Sequence, residues 1–347
     1  MKRCRWCNLK NPLYITYHDS EWGKINLQDS YLFEMLLLES FQAGLSWECV
    51  LNKREAFRKA YDDFSIEKVA SYEEEKIEEL LQNQELIRNR LKVKASIQNA
   101  KIFQEIQKEY GSFSNYLMEF THGIILYEND RDTNFLSDSL SKDLYKRGMR
   151  FVGSTILYSY LQAVGLIQSH LDDCDWYQKH SLQLIVPAID DYHYEETIYQ
   201  DRDTMHYNAG YEVSYDGYHY DTGCIDFPKE VWKDQYEKRK KEVFFYIQDG
   251  SQYVGTASYL WDLKEKRYEC SIIIDSEHRG CGYAKEALYQ LCYEAKKRGV
   301  DSLYDTFEKE REDALRVFLD LGFEVVEETT WKKFHQEVDG VVVRRAL

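Results

Sequence analysis

Residues 165–177 read GLIQSHLDDCDWY, and this stretch marks the point where one kind of sequence ends and another begins. His170 and Cys174 lie four residues apart in it, and imidazole and thiolate are the ligand types that structural zinc sites use. Before this stretch the apolar residues recur at helical spacing, whereas beyond about Lys179 the chain changes to short β-rich runs. The stretch therefore raises two questions: where the other ligands of a metal site would lie, and how many domains the chain forms.

Length, charge and cysteine content limit the number of domains and the kinds of partner that the chain is suited to. A chain of 347 residues exceeds what one hydrophobic core usually supports, which predicts two domains. The net charge of -16 argues against broad nonspecific binding to polyanions, and most of the acidic excess follows residue 180, so that only the first half is suited to meet DNA. The eight cysteines are irregularly spaced, which favours thiols or metal ligands over disulfides. No segment resembles a membrane span or a secretory signal, which predicts a soluble, cytoplasmic protein with no membrane partner.

The apolar pattern separates the two domains. From Leu32 to Leu166 the spacing is helical in runs such as YLFEMLLLESFQAGLSWECVL, and this predicts an all-α domain over residues 1–178. Later runs such as LQLIVPAI and YECSIIID are β-rich and are followed by the helical AKEALYQLCYEAKKRG. Strands mixed with helices predict an α/β domain over residues 182–347.

Further candidate metal ligands lie at the N-terminus, which reads MKRCRWCNLKNPLYITYH. Cys4, Cys7 and His18 all lie in these first residues, and two of them would complete a tetrahedral set with His170 and Cys174. Zinc takes four such nitrogen and sulfur ligands in structural sites. The spacing alone leaves an alternative open, namely two free thiols and surface histidines.

The residues around these candidate ligands favour a metal site over free thiols and surface histidines. The stretches RCRWC, PLYITYHDSEWG, FEMLLLESFQAGLSW, LSKDLYKRGMRFVG and YLQAVGLIQSH together resemble the family of 3-methyladenine DNA glycosylase I over nearly all of residues 1–177. The resemblance implies a helix-hairpin-helix-like fold with a structural zinc ion, and leaves Cys7 outside the ligand set. The implied ligands are Cys4, His18, His170 and Cys174. With all four positions filled by protein, the zinc would stabilise the fold and offer no open position for a reactive water.

The candidate active site is the run LESFQAGLSW, which places a carboxylate, Glu39, eight residues before an indole, Trp47. A base flipped out of DNA needs a flat apolar wall and a few polar groups that read its edge. The resemblance implies that Glu39 and Tyr17 hydrogen-bond a methylated adenine and that Trp47 stacks on it. Trp6 and Trp22, in CRWC and SEWG, are further candidates for the lining of the same hollow. The implied reaction is hydrolysis of the N-glycosidic bond of 3-methyladenine in alkylated double-stranded DNA. Glu39 would read the base and balance its positive charge; a role as general base for water stays open, and core packing is the alternative for each aromatic residue alone.

The run NQELIRNRLKVKA occupies the place of the helix-hairpin-helix in this superfamily and is rich in basic residues. It suits DNA phosphates, although a solvated helix face explains the charges equally well. Its basic residues are Arg88, Arg90, Lys92 and Lys94. Glu85 and Leu91 stand where such hairpins usually carry glycine, which predicts a distorted or weaker hairpin. Gly148 and Gly153 in KRGMRFVGST would then supply other backbone contacts to DNA.

The second half carries a glycine-containing turn between a strand and a helix, in YECSIIIDSEHRGCGYAKEALYQLCYEAKKRG. Residues 279–284 read R-x-x-G-x-A, a pattern in which loop amides and a helix N-terminus can hold a pyrophosphate. Together with DALRVFLDLGFEVV this run resembles the GNAT-type N-acetyltransferases over residues 182–345. The resemblance implies acetyl-CoA as the cofactor, held beside a splayed strand that ends near Ile274. The implied cofactor-binding residues are Ile274, Arg279, Gly280, Cys281, Gly282, Tyr283 and Ala284.

Three residues in this half depart from the family pattern or stay open. Phe318 stands where many of these enzymes have a tyrosine that protonates the departing thiolate, and Arg311 stands where asparagine is frequent. Glu269 is a candidate general base by position only. The sequence therefore predicts altered or weak transferase activity toward an unknown amine acceptor, and leaves the oligomeric state open. The competing interpretation is a non-catalytic damaged-DNA binding or scaffold module fused to a working acetyltransferase.

Overall fold

The structure is a computed structural model that describes residues 1–129, 131–213 and 216–347. The chain forms two compact units, Met1–Lys179 and His180–Leu347, which divide where the sequence pattern changes from helical to β-rich. Within the described part of the chain, no helix combines the length and the apolar character that a membrane span requires.

The first unit is built from helices joined by short loops. These are α1 (Pro12–Ser20), α2 (Asp29–Gln42), α3 (Trp47–Leu51), α4 (Arg54–Ala60), α5 (Ile66–Ala70), α6 (Glu74–Gln82), α7 (Arg90–Tyr110), α8 (Phe113–Thr121), α9 (Phe135–Arg147) and α10 (Ser154–Ala163). Helix α2 lies at the centre, because every residue from Leu32 to Phe41 is buried. Most of these buried side chains are apolar. The buried Glu34 is neutralised by ion pairs to Arg54 and Arg58.

The prediction of a helical first unit is confirmed, and the structure adds one short pair of strands to it. Strand β1 (Leu126–Tyr127) pairs in parallel with strand β2 (Ile167–Gln168). Each strand has two residues, so neither can show the alternation by which a strand is recognised in sequence. The pair joins the chain after α8 to the chain after α10.

The hairpin between α6 and α7 forms without glycine. Its backbone stays out of the positive-φ region throughout residues 83–91, all of which are described. The Asn89 side chain begins α7 by accepting hydrogen bonds from the backbone N–H groups of Leu91 and Lys92, a common way to satisfy the first amides of a helix. Glu85 and Leu91 are therefore tolerated, because nothing at their positions requires a left-handed residue.

The second unit is a seven-stranded mixed sheet with helices. Its strands are β3 (Leu182–Ile185), β4 (Val243–Asp249), β5 (Gln252–Asp262), β6 (Arg267–Ile274), β7 (Ser302–Glu308), β8 (Glu324–Lys333) and β9 (Gln336–Ala346). Its helices are α11 (Tyr192–Gln200), α12 (Arg202–Met205), α13 (Lys229–Arg239), α14 (Tyr283–Lys297) and α15 (Glu312–Asp320). The strand order is β3-β4-β5-β6-β7-β9-β8.

The contact between β6 and β7 distinguishes this sheet. It is parallel and comprises only the pairs Tyr268–Leu303 and Glu269–Tyr304, whereas the other neighbouring strands pair antiparallel over longer ladders. Beyond Glu269, β6 continues to Ile274 without a partner on its β7 side. The two strands therefore splay, and they leave an opening in the middle of the sheet.

Gly165, in the connection between α10 and β2, lies very close to the backbone of residues 24 and 25. Gly165 has a φ of +79°, and a Cβ built on it would lie 2.2 Å from the backbone nitrogen of Ile25. Gly44 has the same φ of +79° but has no atom within 4 Å of its Cβ position. The two glycines have the same φ, and they differ in the space around the position that a Cβ would take.

We expect Gly165→Ala to lower the free energy of unfolding of the first unit by about 3 kcal/mol, since it adds a backbone clash to the left-handed strain. Gly44→Ala serves as the matched control and should cost about 1 kcal/mol. Thermal unfolding followed by circular dichroism measures both. Equal shifts in the two variants would show that the approach of residues 24 and 25 does not restrict Gly165.

Candidate active site, metal cluster and cofactor loop

Four buried side chains from the two ends of the first unit form a cluster that could hold a metal ion. They are Cys4, His18, His170 and Cys174, and their ligand atoms all lie within 4.8 Å of one another. The Cys4 sulfur lies 3.4 Å from Nδ1 of His170, and the Cys174 sulfur lies 3.5 Å from Nε2 of His18 and 3.5 Å from Nδ1 of His170. The cluster brings residue 4 against residue 174, at the beginning and end of this unit.

These spacings fit a tetrahedral ion. Zinc–sulfur and zinc–nitrogen bonds place neighbouring sulfur and nitrogen ligands about 3.5 Å apart in a tetrahedron. The imidazole of His18 is also oriented for this role, because its Nδ1 lies 2.8 Å from Oδ1 of Asp19 and leaves Nε2 to face the cluster. Asp19 is held in turn by the guanidinium of Arg3. Such a carboxylate–histidine pair commonly orients a metal ligand.

Burial strongly affects the protonation of these ligands. It raises the pKa of the Cys4 thiol to about 12 and lowers the pKa of His170 to about 4. Without a cation the cluster would therefore hold a neutral thiol and a neutral imidazole at neutral pH. A divalent cation reverses the preference of the thiol and holds it as the thiolate.

The candidate base pocket is formed by residues that three helices contribute. Glu39 on α2, Tyr17 on α1 and Trp47 at the start of α3 are 3%, 2% and 8% exposed. The rings of Tyr17 and Trp47 lie 5.2 Å apart between centroids, with their planes tilted by 47°. Burial raises the pKa of the Tyr17 hydroxyl well above its usual value, and the nearby Glu39 carboxylate adds to this rise. The structure thus brings these three residues, which the sequence predicted as a set, into one buried region.

Polar atoms in this region lack protein partners. Burial raises the pKa of Glu39 well above its usual value, and its Oε2 has no hydrogen-bond partner among the described residues. The same holds for Nε1 of Trp47 and for Ser40 and Gln42, two residues that sequence reasoning missed. A buried polar atom left unpaired costs about 1–3 kcal/mol. A ligand with complementary polar atoms would recover that cost.

Trp6 and Trp22 lie beside the metal cluster. Their rings are 4.6 Å apart, Trp6 lies 5.2 Å from His18, and Trp22 lies 4.7 Å from His170, all between centroids. Both indoles therefore cover the cluster histidines. Their assignment to the base pocket stays a prediction.

The predicted DNA-binding run contains one residue that points inward. Lys92 is buried, and its Nζ donates hydrogen bonds to the carbonyl oxygens of Phe41 and Ala43 at 2.8 and 2.6 Å. The prediction that Lys92 contacts phosphate is wrong, because its charge is used to bind the last carbonyls of α2. It thereby ties the hairpin to the helix that carries Glu39.

The other cations of this run lie at the surface. Arg88 is exposed; Arg90 pairs with Glu74 and Glu78, and Lys94 also pairs with Glu74. Exposed ion pairs of this kind contribute at most about 1 kcal/mol each and can exchange partners. Arg88, Arg90 and Lys94 can therefore still meet phosphate, with competition from neighbouring carboxylates.

The two glycines predicted to offer backbone contacts differ. The amide of Gly148 donates to the carbonyl of Tyr145 as it ends α9, so this amide is already used, and a DNA contact by the Gly148 backbone stays a prediction. Gly153 precedes α10, a ten-residue helix that no side chain caps. The first amides of α10 are therefore free of side-chain partners and can face an anion.

The candidate cofactor loop lies between β6 and α14. Strand β6 ends at Ile274, and the loop reaches α14 through Gly280 and Gly282, whose φ values are +77° and +87°. A Cβ at Gly280 would meet no atom within 4 Å, and no side chain caps the fifteen-residue α14. The motif R-x-x-G-x-A thus folds as an open glycine turn at a helix N-terminus, which fits the binding of a pyrophosphate.

The side chain of Arg279 holds this loop in place. Its guanidinium donates to the carbonyl oxygens of Asp203 and Thr204 at 3.0 and 2.8 Å. Cys281 and Ala284 are partly exposed, and the Tyr283 hydroxyl donates to Asp249 at 2.7 Å. The loop therefore offers an anion its main chain, while the side chains of Arg279 and Tyr283 contact neighbouring elements.

The three divergent residues have structural partners. Phe318 is buried between Phe307 and Phe323, with ring centroids 5.3 and 4.9 Å away. Glu269 accepts a hydrogen bond from Nε of Arg267 at 2.6 Å, so its use as a general base would require this ion pair to open. Arg311 lies over the ring of Tyr207, 4.9 Å from its centroid.

Comparisons with known proteins separate the two units in the same way. The profile of the Methyladenine glycosylase family matches residues 6–178, and that of the Acetyltransferase (GNAT) family matches residues 206–323. DNA-3-methyladenine glycosylase 1 of Escherichia coli strain K12 is 43% identical over 184 residues, which cover 51% of this chain and 97% of that protein. DNA-3-methyladenine glycosylase of Haemophilus influenzae is 39% identical over 178 residues, which cover 50% of this chain and 96% of that protein.

A solved structure agrees with these relatives. The crystal structure of a point variant of 3-methyladenine DNA glycosylase I in complex with 3-methyladenine is 34% identical, with a TM-score of 0.50. The match covers 52% of this chain and 100% of that chain. The shared region corresponds to the first unit.

Proposed function

The chain belongs to the methyladenine glycosylase family, and we propose that its first unit hydrolyses the N-glycosidic bond of 3-methyladenine in alkylated double-stranded DNA. The second unit carries a GNAT acetyltransferase domain, so both resemblances indicated by the sequence motifs are confirmed. One observation carries the proposal for the first unit. The Glu39 carboxyl is buried beside Tyr17 and Trp47, and one of its oxygens has no hydrogen-bond partner in the part of the chain that the structure describes.

The environment of Glu39 explains a preference for a cationic base. Burial raises the pKa of its carboxyl well above the usual value and so favours the neutral form. A base alkylated on a ring nitrogen brings a positive charge, and a positive charge next to a buried carboxyl favours the ionised form. Unmodified adenine brings no such charge. The pocket therefore gains an ion pair only with the alkylated base.

The remaining steps need little acid catalysis. The alkylated base leaves as a neutral molecule when its bond to C1′ breaks, so the enzyme chiefly has to extract it from the helix and hold it. Trp47 offers an indole face for stacking, and Tyr17 a hydroxyl for the base edge. Glu39 balances the charge of the bound base; activation of the attacking water is a second role that its carboxylate could serve.

DNA would be held by the surface cations of the hairpin and by the start of α10. Arg88, Arg90 and Lys94 would contact phosphates, and Gly153 precedes α10, whose first amides no described side chain caps. The buried Lys92 would act indirectly, by fixing α2 relative to the hairpin.

Release of free 3-methyladenine from methylated duplex DNA tests this function. We expect Glu39→Gln to lower the rate of release at least about 100-fold, because it removes the charge that pairs with the base. Trp47→Ala should lower it by about 10- to 100-fold through lost stacking. Glu105→Gln, which changes an exposed carboxylate on α7, is the control and should match the wild type.

The stability of Glu39→Gln distinguishes lost function from lost fold. Because the pKa of Glu39 is raised on folding, stability falls as the pH rises above the unfolded pKa of about 4.3. Glutamine removes that penalty, so the variant should be more stable than the wild type at pH 8 and equal to it below about pH 4. An intact wild type that releases no base would favour a damaged-DNA binding or scaffold module.

We further propose that the Cys4, His18, His170 and Cys174 cluster holds a structural zinc ion. Two thiolates and two imidazoles are a donor set that zinc prefers, and no ligand position is left for water. The ion would join the N-terminus of the unit to its last residues. It would therefore act on stability, with no direct part in hydrolysis.

Metal analysis of protein purified without chelator tests this site. We expect about one zinc per chain in the wild type, and a large loss of zinc with a lower unfolding temperature in Cys174→Ser. Cys7→Ser is the matched control, since Cys7 is also buried but lies outside the cluster. A zinc-free wild type, or equal zinc in both variants, would contradict the proposal.

For the second unit we propose that acetyl-CoA binds with its pyrophosphate on the amides of residues 279–284. The acetyl group would then lie in the opening between β6 and β7, and would be transferred to an amine acceptor. Support comes from the open glycine turn, from the uncapped α14 and from the splayed strands.

Calorimetry with acetyl-CoA tests the cofactor loop. We expect Gly280→Val to reduce affinity at least about 100-fold, because its side chain would fill the space that the phosphates need. Gly299→Val is the control: Gly299 lies beyond the other end of α14, has a φ of +75° and also has no atom within 4 Å of its Cβ position. Equal binding by both variants would overturn the assignment of the loop.

A further inference from the structure

One face of β7 carries a carboxyl group among apolar side chains. Leu303, Asp305 and Phe307 alternate along the strand and therefore share a face. Leu303 and Phe307 are buried, whereas Asp305 between them remains partly exposed. A carboxyl on an otherwise apolar face requires an explanation, because its burial is costly.

Asp305 is also the first residue of β7 beyond the parallel ladder. The last pair of that ladder is Glu269–Tyr304. The next residues, Cys270 on β6 and Asp305 on β7, are no longer paired with each other. The carboxyl of Asp305 therefore lies at the point where the two strands begin to separate, which is the opening proposed to hold the thioester.

The groups around Asp305 keep its carboxyl protonated at neutral pH. Burial raises the pKa of Asp305 to about 8; the charge of Glu269 contributes to this rise, while Arg311 and a 2.7 Å hydrogen bond from the N–H of Thr306 oppose it. Cys270 on β6 is the other titratable neighbour, and burial raises the pKa of its thiol well above its usual value. Across the β7–β9 ladder, Asp305 faces the uncharged Val343. A protonated carboxyl at neutral pH can donate a hydrogen bond or a proton.

The same face of β7 contacts the helix that lacks the expected hydroxyl. Phe307, two residues after Asp305, packs against Phe318 of α15 at 5.3 Å between ring centroids. Phe318 has no proton to give to a leaving thiolate. Asp305 is the acidic group on that face next to it.

We propose that Asp305 is the catalytic acid of acetyl transfer, placed to protonate the CoA thiolate as it leaves. This inference rests on the proposed acetyltransferase function. The amine nitrogen forms a bond to the acetyl carbon, and the carbon–sulfur bond breaks with its electron pair on sulfur. The proton of Asp305 moves to that sulfur and gives the CoA thiol. The amine nitrogen releases one proton to solvent, and Asp305 regains one from solvent.

Binding measurements test this role without an identified acceptor. Calorimetry of the full chain between pH 7 and pH 9.5 would compare CoA with adenosine 3′,5′-bisphosphate, which carries phosphates but no sulfur. If the protonated carboxyl contacts sulfur, CoA affinity falls toward tenfold per pH unit above the pKa of Asp305. The bisphosphate should keep a constant affinity. This comparison in the wild type needs no variant.

The variant Asp305→Asn should bind CoA with an affinity that is constant over the same pH range. Asp301→Asn, which changes an exposed carboxylate just before β7, should retain the wild-type pH dependence. If the wild type binds CoA with no pH dependence, or if Asp305→Asn keeps that dependence, Asp305 does not face the sulfur and the inference fails alone. If the wild type binds neither probe, the cofactor assignment fails and the inference fails with it.

Discussion

The complete burial of α2 is the constraint on which the first unit depends. A helix that is buried from Leu32 to Phe41 requires neighbours on every side, and it carries Glu39 into surroundings that cannot solvate a charge. Its last carbonyls accept hydrogen bonds from the buried Lys92, which lies in the first turn of α7, directly after the hairpin that follows α6. Packing, the proposed base pocket and the hairpin proposed to contact DNA are thus connected through one helix. Displacing the hairpin would change how α2 ends, one turn from Glu39.

The second unit depends in the same way on the short ladder between β6 and β7. If the strands paired along their full length, the sheet would be continuous, and there would be no opening for a polar group to line. Two residue pairs hold the strands together, and beyond them the facing edges of β6 and β7 are no longer paired with each other, although each strand stays paired with its other neighbour. The glycine turn after β6 begins at the same opening, so one irregularity of the sheet serves both the phosphates and the thioester of the proposed cofactor.

Sequence reasoning succeeded where the information is local and failed where it depends on distant neighbours. Helical periodicity identified the first unit, and motif order identified the residues that meet at the cluster and around Glu39. The strands β1 and β2 were missed because two residues cannot show a period. Lys92 was read as a surface cation because a lysine between Arg90 and Lys94 looks solvated, and only its position against the end of α2 shows otherwise. Asp305 was missed for a related reason, since its significance depends on where a ladder ends.

Carboxyl groups that are buried or partly buried in this protein separate into two kinds, and the distinction identifies the candidate sites. Glu34 pairs with two arginines, and Glu195, which is fully buried, pairs with Arg239; removing one partner of such a pair leaves an uncompensated charge, so these residues are structural. For Glu39 and Asp305, by contrast, no ion pair is found among the described residues, and burial raises the pKa of both. A carboxyl group kept neutral in this way reduces stability at neutral pH, because ionisation is favoured only in the unfolded chain. A fold retains such a group at a cost, and a ligand that brings positive charge or accepts a proton recovers that cost.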